Sequence, residues 1–185
     1  MAMPNTKVVT GKVRFSYVNI FKSRSFDSNQ EEKFSLCVLI PKEDKATLKK
    51  VQNAIDAAKE IGKQKWGGKV PSNLKTPLRD GDVERADEAE EYTNVYFLNA
   101  SSKLKPGIVD KNLNEILEPT EVYSGCYGRV SLNFFPFNSN GNKGIAVGLQ
   151  NVQKLADGEP LGIARASAEN DFGEFSDDED EDFLG

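Results

Sequence analysis

The chain has 185 residues, 38% of them apolar and 15 of them glycine, which is enough for one packed domain and rules out wholesale disorder. It contains no histidine and two cysteines, which excludes His-based triads, Cys–His dyads and tetrahedral thiolate zinc sites. The net charge of −5 conceals a split, because residues 168–185 hold nine acids and no base, leaving 24 bases against 20 acids in the 167 residues before them. Residues 1–79 carry 16 bases against 7 acids, and a dense acidic patch follows at Asp80, Asp82, Glu84, Asp87, Glu88, Glu90 and Glu91, relieved by Arg85.

The first ten residues are polar, and no apolar run approaches the ~20 residues of a membrane span. A soluble protein of a reducing compartment is expected, with Cys37 and Cys126 as small core residues in strand-like runs. From Val8 to Phe21 the sequence alternates as a long strand, bulged near Asn19, with Val13, Phe15, Tyr17 and Phe21 on one face. Lys33-Phe34-Ser35-Leu36-Cys37-Val38-Leu39-Ile40 is apolar enough to be buried on both sides. Pro41 ends that strand and Asp44 can cap a helix in which Leu48, Val51, Ile55 and Ala58 form the buried stripe. Gly62 is positioned to close that helix in a left-handed conformation.

Residues 62–91 then read as a long loop, and loops of that length in compact domains are commonly functional or disordered. Short strands follow at Val95-Tyr96-Phe97-Leu98, Ile108-Val109 and Glu115-Ile116-Leu117. The clearest hairpin comes last: Cys126 to Phe135 alternates, a segment rich in Asn and Gly turns the chain, and Ile145 to Val152 returns. Without βαβ alternation, this order predicts a mainly antiparallel barrel or sandwich with an appended helix.

Catalytic chemistry has few candidates. Gly141-Asn142-Lys143-Gly144 lacks the hydroxyl of a phosphate loop. Asp80, Asp82 and Glu84 could in principle hold Mg²⁺ for a nuclease or junction resolvase, although a solvated Asp-Gly turn accounts for them as well. Bases interleaved with aromatic rings are more frequent: Arg14-Phe15-Ser16-Tyr17, Phe21-Lys22-Ser23-Arg24, Lys65-Trp66-Gly67-Gly68-Lys69, and Tyr123 with Tyr127 and Arg129. Single-stranded DNA is held by that combination, cations on phosphates and rings on bases. Phe15, Phe34, Phe97 and Phe134 are expected in the core. Trp66, in a Gly-rich, Lys-flanked loop, is expected to contact ligand.

Several blocks resemble a family of tailed-phage single-stranded-DNA-binding proteins, once classed only as a domain of unknown function. They are Gly11-Lys12-Val13-Arg14-Phe15-Ser16-Tyr17-Val18-Asn19-Ile20-Phe21, Leu39-Ile40-Pro41-Lys42-Glu43-Asp44, Pro77-Leu78-Arg79-Asp80-Gly81-Asp82, Tyr123-Ser124-Gly125-Cys126-Tyr127-Gly128-Arg129-Val130, and Gly144-Ile145-Ala146-Val147-Gly148-Leu149-Gln150-Asn151-Val152-Gln153-Lys154. The resemblance spans most of residues 8–160. It implies an OB fold, a five-stranded Greek-key barrel with an inserted helix. It also implies a non-enzymatic, cofactor-free protein that binds single-stranded DNA irrespective of sequence during phage replication and recombination, in the cytoplasm of the infected bacterium.

The expected organisation is an OB domain over residues 1–165 and a disordered acidic tail over 166–185. Arg14, Lys22, Arg24, Lys65, Lys69, Arg79, Lys103, Lys105 and Arg129 are the expected phosphate contacts, and Tyr17, Trp66, Tyr123 and Tyr127 the stacking rings. In the tail, Phe172, Phe175, Asp178, Asp180, Asp182 and Phe183 are expected to bind replication or recombination proteins of phage or host, apolar anchors steered by charge. The tail's charge also lets it compete with DNA for a basic groove. A protein-only adaptor, in which the tail is the whole function, is the remaining alternative beside the nuclease.

Overall fold

The computed structural model describes residues 5–25, 31–85, 87–139 and 141–161. The expected tail residues, Phe172 to Phe183, and the domain boundary at 165 lie outside them. The strands are β1 (Lys7–Val9), β2 (Val13–Arg24), β3 (Lys33–Pro41), β4 (Arg79–Asp80), β5 (Val95–Ser102), β6 (Gly107–Val109), β7 (Tyr127–Ser139) and β8 (Asn142–Ala156). Five of them close a barrel in the cyclic order β2-β3-β5-β8-β7. All neighbours are antiparallel except β5 and β8, which run parallel. That single parallel pair, reached by a crossover, is the Greek-key closure of an OB barrel.

The interior is filled from every wall, by Phe15 and Ile20 of β2, Leu36, Val38 and Ile40 of β3, Leu98 and Ala100 of β5, Val130, Leu132 and Phe134 of β7, and Val147, Leu149 and Val152 of β8. The hairpin β7–β8 is longer than its alternation indicated, pairing from Tyr127–Ala156 to Ser139–Asn142. The opening strand, expected to be continuous, is two strands laid end to end along β7. Val9 pairs with Ser131 and Val13 with Gly128, and between them buried Thr10 exchanges bonds with Val130 instead.

Helix α1 (Lys45–Gly62) starts at Asp44, whose carboxylate accepts the Thr47 N–H at 3.1 Å. It buries Thr47, Val51, Ala54, Ile55 and Ala58 and packs against β7 and β1. Gly62 does not end it in a left-handed turn, since its φ is −72°. The helix tightens into a 3-10 turn (Lys63–Trp66), and Gly67, with φ 79°, supplies the reversal. The reason is Trp66, which the extra turn swings back into the core, 6% exposed.

The expected long loop is largely ordered. β4 pairs with β5, a short helix α2 (Gly81–Glu84) follows, and a 3-10 turn (Glu90–Tyr92) ends the segment. A Cβ at Gly81 would strike the carbonyl oxygens of Tyr92 and Val95, so glycine is what lets the segment lie this close to the barrel. The strand expected at 115–117 reduces to one bridge, Val109 to Glu115, because Asp110 turns the chain by accepting the N–H groups of Asn112 and Asn114.

Candidate nucleic-acid interface

Strand β3 is buried on both sides, as its run of apolar residues indicates. Leu36, Val38 and Ile40 point into the barrel. Cys37 and Leu39 point outward and join Tyr92 and Phe97 in a second apolar cluster, to which Ala89, Val95 and Leu161 add cover. The acidic segment 80–92 therefore roofs part of the outer sheet face, with the Tyr92 and Phe97 rings edge to face at 5.0 Å. Beyond the roof, β3 and β5 show small polar residues outward, Ser35, Asn99 and Ser101.

There the outer face becomes a groove of about 770 Å³, lined by Tyr17, four cations (Arg24, Lys33, Arg85 and Lys103), one acid (Glu31) and this polar floor. Burial raises the Cys37 thiol in the floor to about 11. The phenol of Tyr92, 3.9 Å from it, is likewise raised by burial. Of the expected contacts, the structure brings Tyr17, Arg24 and Lys103 together here. Lys103 also meets Glu31 at 3.1 Å, and Lys105 lies over the Phe21 ring at 5.6 Å.

Tyr17 does not share the inner face with Val13 and Phe15. The β2–β3 register shifts between Ser16 and Asn19, and Tyr17 takes φ 48°. A bulge reverses the side-chain parity of the strand beyond it, so Tyr17 does not follow Phe15 inward but stands 55% exposed. Positive φ in an aromatic residue is a strained conformation of the kind concentrated at functional sites.

Sequence reasoning missed two lining cations, Lys33 and Arg85, and the polar floor. The floor was legible as period-2 alternation, Ser35-Leu36-Cys37 and Asn99-Ala100-Ser101. Arg85 was visible as the lone base in the acidic patch. Its guanidinium sits 4.8 Å from the Tyr92 ring, and Nη2 donates to the Tyr17 hydroxyl at 3.3 Å.

A second depression, about 670 Å³, lies on the other side of the acidic segment, where Lys12, Arg14 and Tyr127 face Glu43, Glu90, Glu91 and Glu159. Arg14 and Tyr127 thus belong to a different surface from Tyr17. Arg14 is spent on architecture: Nε donates to the Gly125 carbonyl at 3.0 Å and Nη2 to the Glu159 carbonyl at 2.7 Å. Tyr123 is tied down too, its hydroxyl donating toward Asp157 at 3.0 Å and accepting the Gly158 N–H at 3.1 Å. Arg129 donates to the Thr10 carbonyl at 3.1 Å and lines neither depression. Lys22 is exposed but outside both.

Trp66 corrects an expectation. Its indole N–H donates to the Phe137 carbonyl at 3.0 Å, and its ring is part of the barrel core, so the ring is not presented for stacking. Flanking glycines made the segment look like a loop, when they provide the turn that buries the ring. Lys65 and Lys69 go with it, outside both depressions.

The three carboxylates of the nuclease alternative are each engaged. Lys42 bridges Asp80 at 2.8 Å and Asp82 at 2.7 Å. Asp80 also caps α2 through the Asp82 N–H. Its carboxylate, then that of Asp82, raises the Lys42 ammonium, and Lys42 in turn holds the Asp82 carboxyl below its usual range, helped by the Asn94 N–H. Arg79 pairs with Glu84 at 2.7 Å, not with Asp80, and covers the Phe97 ring. Among the described residues no group of three metal-ligating side chains converges.

A groove across the second and third barrel strands is where OB folds take oligonucleotides. Protein p50 of Acyrthosiphon pisum secondary endosymbiont phage 1 is 27% identical over 188 residues, covering 96% of this chain and 98% of that one. The single-stranded DNA-binding protein from bacteriophage Enc34, solved in complex with ssDNA, superposes with TM-score 0.73 at 24% identity over 85% of this chain and 90% of its own. The single-stranded DNA-binding protein gp2.5 of bacteriophage T7 shares the fold at TM-score 0.60 and 11% identity, over 92% and 95% of the two chains. Residues 6–184 match the family described as Enterobacter phage Enc34, ssDNA-binding protein, and to that family the chain belongs.

Proposed function

We propose that this protein binds single-stranded DNA irrespective of base sequence, without catalysis, in phage DNA replication and recombination within the cytoplasm of the infected bacterium. The observation that carries this reading is the groove over β3 and β5, where a ring forced outward by a bulge stands among Arg24, Lys33, Arg85 and Lys103. The ring offers a stacking face and the cations offer phosphate contacts, while the small polar floor leaves room for a backbone. Family membership supports the same ligand. The acidic segment over residues 166–185, with its phenylalanines, is proposed to recruit replication or recombination proteins and to compete with DNA for the groove.

Fluorescence anisotropy with labelled oligo-dT and a matched duplex, over a salt series, tests the proposal. Single-strand preference that weakens with salt is the expected result. Absence of binding at low salt, by the full chain and by one ending at residue 167, refutes it and returns the adaptor reading.

A further inference from the structure

The acidic segment 80–92 divides the outer sheet face into two depressions of opposite character. On one side lies the cation-lined groove. On the other, Glu43, Glu90, Glu91 and Glu159 surround Lys12 and Arg14, and Arg14 is already held by two carbonyls. A polyanion lying in the first is repelled by the second. At the frontier stands Arg85, the one base of the acidic patch.

Its charge is paired loosely, with the exposed carboxylate of Glu88 at 3.7 Å. The hydrogen-bond partner of Nη2 is a neutral phenol, Tyr17, at 3.3 Å. Nε is enclosed and, among the described residues, lacks a hydrogen-bond acceptor, because the Glu88 carboxylate with which it forms an ion pair stands 3.7 Å away. The guanidinium carbon lies over the Tyr92 ring, 4.8 Å from its centroid, a contact that restrains it. A planar guanidinium whose carboxylate partner, the exposed Glu88, stands at 3.7 Å in a long ion pair is suited to an incoming phosphate, which can bond it more closely. Buried donors left without an acceptor are uncommon in folded proteins and call for a functional account.

We propose that Arg85 has two roles in the DNA site: it takes the last phosphate of the bound strand, where the path meets the acidic wall, and it holds the Tyr17 ring in its stacking position. This rests on the single-stranded-DNA reading above. The two roles separate experimentally, because charge sets the salt slope and positioning does not. A guanidinium removed from a single-strand phosphate lowers the slope of log K against log salt by about 0.7.

The test measures oligo-dT affinity of the full chain across a salt series for Arg85→Ala, Arg85→Lys, Tyr17→Phe and the double variant Tyr17→Phe/Arg85→Ala, with thermal melts to verify folding. Arg85→Ala is expected to bind at least tenfold more weakly at low salt with the slope reduced. Arg85→Lys is expected to keep the slope but to recover only part of the affinity, because an ammonium cannot stack flat on Tyr92 while bonded to Tyr17. Tyr17→Phe, which removes only the hydroxyl, is expected to weaken binding severalfold with no change of slope, and to cost nothing further once Arg85 is alanine. Should Arg85→Ala fail to fold, Arg85→Gln keeps the stem and gives the same slope test. An unchanged slope in the neutral variant overturns the phosphate role. Equal Tyr17→Phe losses in both backgrounds overturn the positioning role. Both results presuppose a wild-type chain that binds; a wild type that does not bind removes the proposed function itself.

Discussion

Replacing Trp66 by alanine discriminates sharply between a core residue and a stacking platform. The ring is 6% exposed and packs in the barrel core, so truncation removes a large apolar side chain and leaves a cavity, a loss of about 3–5 kcal/mol. It also orphans the Phe137 carbonyl that the indole N–H satisfies at 3.0 Å, which adds about 1 kcal/mol if water cannot reach it. For a chain of this size each kcal/mol moves the melting temperature by roughly 2–4 °C, so a fall of roughly 6–24 °C is expected. Trp66→Phe keeps most of the packing and is expected to fall by about a third as much. Both variants, where folded, bind oligo-dT as the wild type does. The assay pairs thermal unfolding followed by far-ultraviolet circular dichroism with an anisotropy titration at a temperature below both transitions. Because Trp66 is the sole tryptophan, wild-type emission gives an independent reading and is expected to change little on DNA binding. An unchanged melting temperature together with lost affinity and strong quenching by DNA would refute the burial argument.

Other expectations follow from the same geometry. Tyr17→Ala removes a stacking ring and is expected to cost about 1–3 kcal/mol of single-strand affinity. Tyr17→Gly relieves the positive φ as well, so its melting temperature is expected to rise while affinity falls; a drop in both would show that the bulge is not strained. Lys33→Ala, in the groove, is expected to reduce the salt slope by about 0.7, whereas Lys65→Ala and Lys69→Ala leave it unchanged, a contrast that one salt series decides. The Asp82 carboxyl titrates below its usual range in the folded state, through Lys42 and the Asn94 N–H. Its contribution is therefore complete above the unfolded value of about 4 and is lost as pH falls through the lower folded value. Urea unfolding between pH 2 and 6 should accordingly show a steeper acid loss for the wild type than for Asp82→Asn. Cys37, buried and raised to about 11, is expected to resist thiol reagents at pH 8 until the protein is denatured, which a timed reaction with and without urea checks.

Much of the architecture follows from local patterns. Period-2 alternation located β2 and the β7–β8 hairpin, and the continuous apolar run of β3 predicted its burial on both faces. Asp44 marked the start of α1 because its carboxylate has a free N–H to accept. These features depend on a residue and its near neighbours, and the sequence by itself determined them.

The site was decided elsewhere. Parity along β2 pointed Tyr17 inward, yet the bulge between Ser16 and Asn19, set by pairing with β3, turned it out. Glycines around Trp66 resembled an open loop, yet the space left between α1 and the hairpin end, where Gly62 and Pro136 lie close to the ring, drew it into the core. Arg14, Tyr17 and Tyr127 looked alike as rings and bases in strands, but the packing of segment 80–92 across β3 and β5 placed Arg14 and Tyr127 beyond an acidic wall. In each case, contacts distant in sequence outweighed a local pattern, since side-chain direction and exposure depend on which surfaces meet. Composition indicated a nucleic-acid binder; tertiary packing decided which of its cations and rings share one groove.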